Sequence, residues 1–199
     1  MEEKYVASPT VKAELLAAKN KASKPLLWIG IVSMIMFWAG LTSAYIVRAD
    51  NGNWLLFKVP SVFIISTAVI ITSSLTMFFA LNSAKQNKFK QSSLAILATL
   101  ILGIAFTALQ YSGWVELFNN GIVFGGKQSN ASGSFFILFG FAHFAHLLGG
   151  LISLTITLLK SFRQAYNAEN TLGLELCSIY WHFLDILWVF LFLFLYYIR

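Results

Sequence analysis

Charge is what this sequence has least of: 11% of its 199 residues are Asp, Glu, Lys or Arg, against about 25% in an ordinary soluble domain. That deficit excludes a disordered tail and a soluble enzyme. Cysteine is almost missing. Cys177 stands alone, which excludes a disulfide framework within the chain, a cysteine-based metal cluster and redox chemistry from paired thiols. The sequence also lacks internal repeats, a heptad array, a phosphate loop, a Ser/His/Asp arrangement and an EF-hand.

What is present is apolar. The apolar set makes up 58% of the chain, with 19 Phe, 6 Trp and 7 Tyr, and the mean hydropathy is +0.72. Five runs have the roughly 20 residues needed to cross the hydrocarbon core: 25–47, 59–81, 92–114, 134–159 and 174–198. Runs this long without alternating polarity must close their hydrogen bonds within themselves, so they predict helices and not barrel strands. The expected fold is all-α: a bundle of five transmembrane helices over residues 25–199, preceded by a polar segment, 1–24. Those 24 residues are too long for the charged lead of a signal peptide, so no cleavage is expected.

The net charge of +6 would suggest nucleic acid in a soluble protein, but the basic residues collect between the apolar runs. Lys4, Lys12, Lys19, Lys21, Lys24, Lys85, Lys88, Lys90, Lys160 and Arg163 fall on one side; Arg48, Lys58, Lys127 and Arg199 fall on the other. Ten against four predicts a cytoplasmic N-terminus and an external C-terminus. Residues 115–133, rich in Gly, Ser and Asn, read as an external loop. Asn130 and Ser132 there spell a glycosylation triplet of the kind common by chance. Residues 8–21 open with Ser8 and Pro9 and put Val11, Leu15 and Ala18 on one face, which predicts a short amphipathic helix at the cytoplasmic surface or a docking contact.

An ionisable group inside a span costs several kcal/mol unless paired, so the few present are informative. Glu175, Ser178, His182 and Asp185 are spaced three, four and three apart, which stacks them on one helix face over about 15 Å. His143 and His146 share a face of the fourth span, followed by Gly149 and Gly150. Counting depth from the cytoplasmic side puts His146 within about one turn of Asp185, so a hydrogen bond between them is expected. The histidines as haem or metal ligands are the sharper alternative, hydrogen-bonded core residues the plainer one. A complete proton wire is disfavoured, because spans one to three carry no Asp or Glu inside. Gly30, Ser33, Phe37, Gly40 and Ala44 on the first span, and Thr99, Gly103, Thr107 and Gln110 on the third, predict close helix contacts. Trp54, Trp114 and Tyr197 fall at span ends as interfacial anchors.

Residues 175–185, ELCSIYWHFLD, resemble subunit III of the haem-copper oxidases. In that family the last helix begins with a Glu seven residues before the His of a YWHF-(V/L)-D motif, and Glu175, Tyr180, Trp181, His182, Phe183 and Asp185 match in place. The fourth span resembles the family's GFHGLHVIGG stretch at His143 and His146. The third is similar at Gly103, Phe106, Thr107, Gln110 and Glu116, and the first around Ala39, Gly40, Ala44 and Tyr45. The resemblance runs from about residue 26 to the C-terminus. It departs at Met34 and Gly113, where the family has glutamates, so roles that rest on those carboxylates do not carry over. The chain looks like the five-helix bacterial form, without the two helices that wall a lipid cleft in long forms. Arg163 resembles a basic family residue near lipid headgroups, and with Glu175 is a candidate for binding phospholipid.

The resemblance implies an accessory core subunit of a proton-pumping cytochrome c oxidase in the bacterial inner membrane, with no cofactor of its own. Haem and copper would lie in the catalytic subunit I and in subunit II, its partners, with a larger respiratory supercomplex as a further setting. One cysteine and three histidines could not supply those centres. Glu175, His182, Asp185, His143, His146 and Glu116 are the candidates for structural or proton-surface roles. Subunit III of a quinol oxidase and an accessory subunit of a nitric oxide reductase would look much the same. From other classes, a small transporter should show broken helices or paired repeats, and a haem-binding anchor should hold haem alone.

Overall fold

The computed structural model describes residues 9–50, 59–122, 130–164, 166 and 170–198, with only the backbone of Pro9, Lys12 and Ala13. Among them lie α1 (Pro9–Asp50), α2 (Val62–Lys85), α3 (Phe89–Asn119), α4 (Ala131–Phe162) and α5 (Leu172–Tyr197). All five are long and apolar enough to cross a membrane, as the hydropathy predicts. The shortest, α2, has 24 residues, about 36 Å at 1.5 Å each, against a hydrocarbon core of about 30 Å.

The ends differ from the sequence reading where polar residues continue a helix. Both edges of the expected 115–133 loop are helical, so the link between α3 and α4 is shorter; Lys127 within it and Trp54 lie outside the described residues. Asn130 is the N-cap of α4, its side-chain oxygen accepting from the Ser132 N–H at 3.0 Å, which satisfies a backbone donor the helix leaves open. The triplet thus has a structural use. Residues 9–21 are helical as expected, but they form no separate short helix: α1 runs unbroken for 42 residues through Pro25.

The order of packing makes α5 the centre. It lies against α1, α2 and α4, while α3 packs on α2 and α4. Half of the most apolar stretch of α5 is buried, against 17% for α1. Among the described residues the backbones of α1 and α2 do not approach each other closely, and Ile186 and Phe190 of α5 are left exposed.

Trp181 is fully buried at the meeting of α3, α4 and α5. A Cβ built on Gly103 would stand 2.8 Å from its ring and one on Gly150 3.1 Å, so glycine is what lets α3 and α4 come this close. The expected small-residue contact on the third span is therefore present. The one on the first span is not. Ser33, Phe37, Gly40 and Ala44 are exposed, and nothing lies within 4 Å of a Cβ placed on Gly30 or Gly40. Large rings hold α1 instead: Trp38 stacks on Phe139 at 6.0 Å and Tyr45 meets Phe194 edge-on at 5.2 Å, and their bulk turns the small-residue stripe outward.

Candidate functional site

Three side-chain hydrogen bonds join α5 to α2. The Trp181 indole donates to Ser73 Oγ at 2.8 Å, His182 Nδ1 lies 2.6 Å from Ser74 Oγ, and the Trp188 indole donates to Thr67 Oγ1 at 3.1 Å. The serines and threonines of α2 went unread in the sequence, because none is ionisable. Their signal was present: Phe63, Ser66, Ile70, Ser73, Met77, Ala80 and Ala84 are all buried and follow the three-or-four spacing of a helix seam. The seam continues into α3, where Gln110 Nε2 donates to Ser66 Oγ at 3.0 Å and Thr76 pairs with Thr99 at 2.8 Å.

At the polar end of α5, Glu175 accepts from Thr171 Oγ1 at 3.1 Å and pairs with Lys24 at 2.5 Å and Lys85 at 3.3 Å. One carboxylate thereby ties the interior of α1 to the last residue of α2 and the first turn of α5. Arg163, exposed just past α4, is not among the ion-pair partners of Glu175. Glu116 is also exposed, at the far end of α3, and does not join the others.

The row on α5 is not continuous in its contacts. Asp185 is 3% exposed and neither carboxylate oxygen has a hydrogen bond among the described residues. Ser74 adjoins it, but the short contact of that hydroxyl is with His182. The expected bond between His146 and Asp185 is not formed. His146 Nδ1 turns back to the Ala142 carbonyl at 2.7 Å, with the ring beside Phe37 and Trp38 of α1, whereas Asp185 faces α2. Equal depth placed them level, but their helix faces point to different neighbours. The Tyr180 hydroxyl reaches the His146 carbonyl instead, at 3.1 Å.

His143 is buried, its ring 5.2 Å from Trp188 and edge-on to Phe106 at 6.2 Å. The three histidines thus face three neighbourhoods: an aromatic seam, the α1 side of α4, and α2. Among the described residues no three His, Cys, Asp or Glu side chains converge as metal ligands do. What this arrangement does chemically is fasten helices, with Glu175 as a charged clasp and His182 as a half-buried stitch between α5 and α2.

Comparison with known proteins places the chain. The family described as Cytochrome c oxidase subunit III matches residues 27–199, which takes in most of α1 and all of α2 to α5. Cytochrome c oxidase subunit 3 of Bacillus sp. (strain PS3) is 30% identical over 195 residues, covering 96% of this chain and 91% of that one. The protein of the same name from Myxine glutinosa is 33% identical over 141 residues, and that from Drosophila melanogaster 31% over 140. In both cases the match covers 70% of this chain and half of the longer animal protein. The chain belongs to the cytochrome c oxidase subunit III family.

Proposed function

We propose that this chain is an accessory core subunit of a proton-pumping cytochrome c oxidase in a bacterial inner membrane. It holds no redox centre. Haem and copper lie in subunits I and II, and this chain packs beside the catalytic subunit, keeps its metal site intact during turnover, and presents Glu175 with the neighbouring lysines near a proton entry. Arg163 and Glu175 remain the residues for a phospholipid headgroup, and the lysine-rich ends face the cytoplasm.

The observation that carries this reading is that each histidine is engaged in packing with a different neighbour: His143 with Phe106 and Trp188, His146 with Ala142, His182 with Ser74. A haem or metal site would need ligands aimed at one point and an open pocket around it. A subunit that only braces a larger partner needs the reverse, rings and polar groups spent on holding its own helices.

A reduced-minus-oxidised optical spectrum tests this on the gently purified chain and on the same chain stripped by harsher detergent. Bands of a-type haem should accompany the first preparation and vanish from the second. Haem that stays with the stripped chain would overturn the reading and make the three histidines ligands. The proton-entry role has its own check: Glu175→Gln or Lys85→Met should alter proton uptake or inactivation during turnover, and unchanged values for both would remove that role.

A further inference from the structure

We propose that the face of α5 between α1 and α2 is the seat of a transmembrane helix from the oxidase partner, which hydrogen-bonds to His182 Nε2 and presents a carboxylate or a helix C-terminus to the lysines around Glu175. The proposal rests on the accessory-subunit reading and adds where the partner sits and what chemistry it brings.

The first observation is the ring itself. His182 Nδ1 is taken by Ser74 at 2.6 Å. Nε2 has no bond among the described residues and is not among the enclosed unpaired atoms, so it meets whatever covers the outer face. On that face the row continues with Ile179 and with Ile186, which is 69% exposed. Hydrocarbon offers a ring nitrogen nothing, and an unmet polar group there costs several kcal/mol.

Depth excludes a lipid headgroup as the partner of that nitrogen. Seven residues separate Glu175 from His182, about 10 Å along the helix axis, so His182 lies two turns inside the clasp that marks the polar end. A protein side chain at that depth is the group that can reach it.

The second observation is charge. At the polar end Lys24 and Lys85 both turn to Glu175, so among the described residues two ammonium groups share one carboxylate and the cluster is net positive beside the face. A helix C-terminus, with its partial negative charge, or an Asp or Glu answers it. The helix that fits therefore carries negative charge at its end and a hydrogen-bonding side chain about two turns deeper. Neither α1 nor α2 covers this face: among the described residues their backbones do not approach each other closely, and Ile186 between them is 69% exposed.

The sign of one substitution separates this from a lipid-covered face. In the purified oxidase complex, His182→Leu should speed loss of this chain in detergent by about 3- to 20-fold, the worth of one interhelical hydrogen bond in a membrane. His182→Gln, which keeps an amide at that position, should stay near wild type. Ser74→Ala breaks the internal bond without removing Nε2 and should leave retention unchanged. Were lipid the cover, His182→Leu would be held as well as wild type or better, and that result overturns the proposal. A photo-cross-linker at Ile186 gives the second readout, with one at Phe141, exposed on α4, as control. Cross-linking from Ile186 to a helix of the haem-bearing subunit supports the seat; adducts only to lipid or to a second copy of this chain overturn it. Absence of any haem protein from the wild-type preparation would instead sink the accessory-subunit reading, so the two failures are distinguishable.

Discussion

Gly103→Ala should destabilise the bundle while Gly40→Ala should not, although both glycines belong to small-residue faces that look alike in the sequence. The new Cβ at 103 would stand 2.8 Å from Trp181 Cη2 and 3.0 Å from Leu151 Cδ2. An ordinary carbon contact of about 3.6 Å requires the indole to retreat by about 0.8 Å. Its N–H is held 2.8 Å from Ser73 Oγ, and a retreat of that size opens the bond toward ~3.6 Å, where it no longer counts as one. Overpacking costs about 1–3 kcal/mol, and a buried donor left unpaired costs about 1–3 more. The two overlap, since moving the ring relieves one by incurring the other. After about 1 kcal/mol is returned by alanine's helix preference, the net loss is ~1–3 kcal/mol. At Gly40 nothing lies within 4 Å, so only the preference remains and Gly40→Ala should be neutral or stabilising by up to ~1 kcal/mol. Unfolding by SDS in mixed micelles, followed by helical circular dichroism, measures both. Trp181→Phe in the Gly103→Ala background should show favourable coupling, because the smaller ring removes the clash. Equal stability of the two alanine variants, or no coupling with Trp181→Phe, would refute the role given to the indole.

Three further outcomes follow from the polar contacts. Ser66→Ala should cost about 1–3 kcal/mol by orphaning the Gln110 amide, and Ser66→Ala with Gln110→Leu should recover most of it in the same unfolding assay. Glu175→Gln should weaken the hold on α1 and α2 by about 0.2–1 kcal/mol per pair, less in high salt, since both lysines are half exposed; faster proteolysis within residues 9–24 would report it. Asp185→Asn and His146→Phe should be additive in a double-mutant cycle, as expected of side chains that do not meet, and a coupling above ~0.5 kcal/mol would contradict the separation described here.

The spans were legible because hydropathy over 20 residues is a one-dimensional property that the bilayer reads directly. Which face of each span turns inward was legible only in part. On α3 spacing alone found the face on which Gly103 meets the buried Trp181; on α4 it put His143, His146 and both glycines together, whereas only His143 and Gly150 turn into the bundle and His146 turns toward α1. On α1 the same kind of stripe points outward, because Trp38 and Tyr45 on another face are large enough to bridge to α4 and α5. In a membrane, burial brings no hydrophobic gain to decide between two faces, so a small-residue stripe and an aromatic one compete on packing with particular neighbours. Those neighbours are not in the local sequence. The same limit explains His146 and Asp185: depth follows from counting residues, but azimuth depends on which helices lie on either side of α4 and α5. Once α5 is known to sit between α1 and α2, the α5 row resolves into inward and outward members. Ser178 and Asp185 turn into the bundle, while His182 and Glu175 border the uncovered face. Within this one chain Glu175 finds cationic partners and His182 finds Ser74 on one side only. That asymmetry, a stitch completed inward and left open outward, is what the proposed partner helix would use, because the outer hydrogen bond of His182 then forms only on assembly.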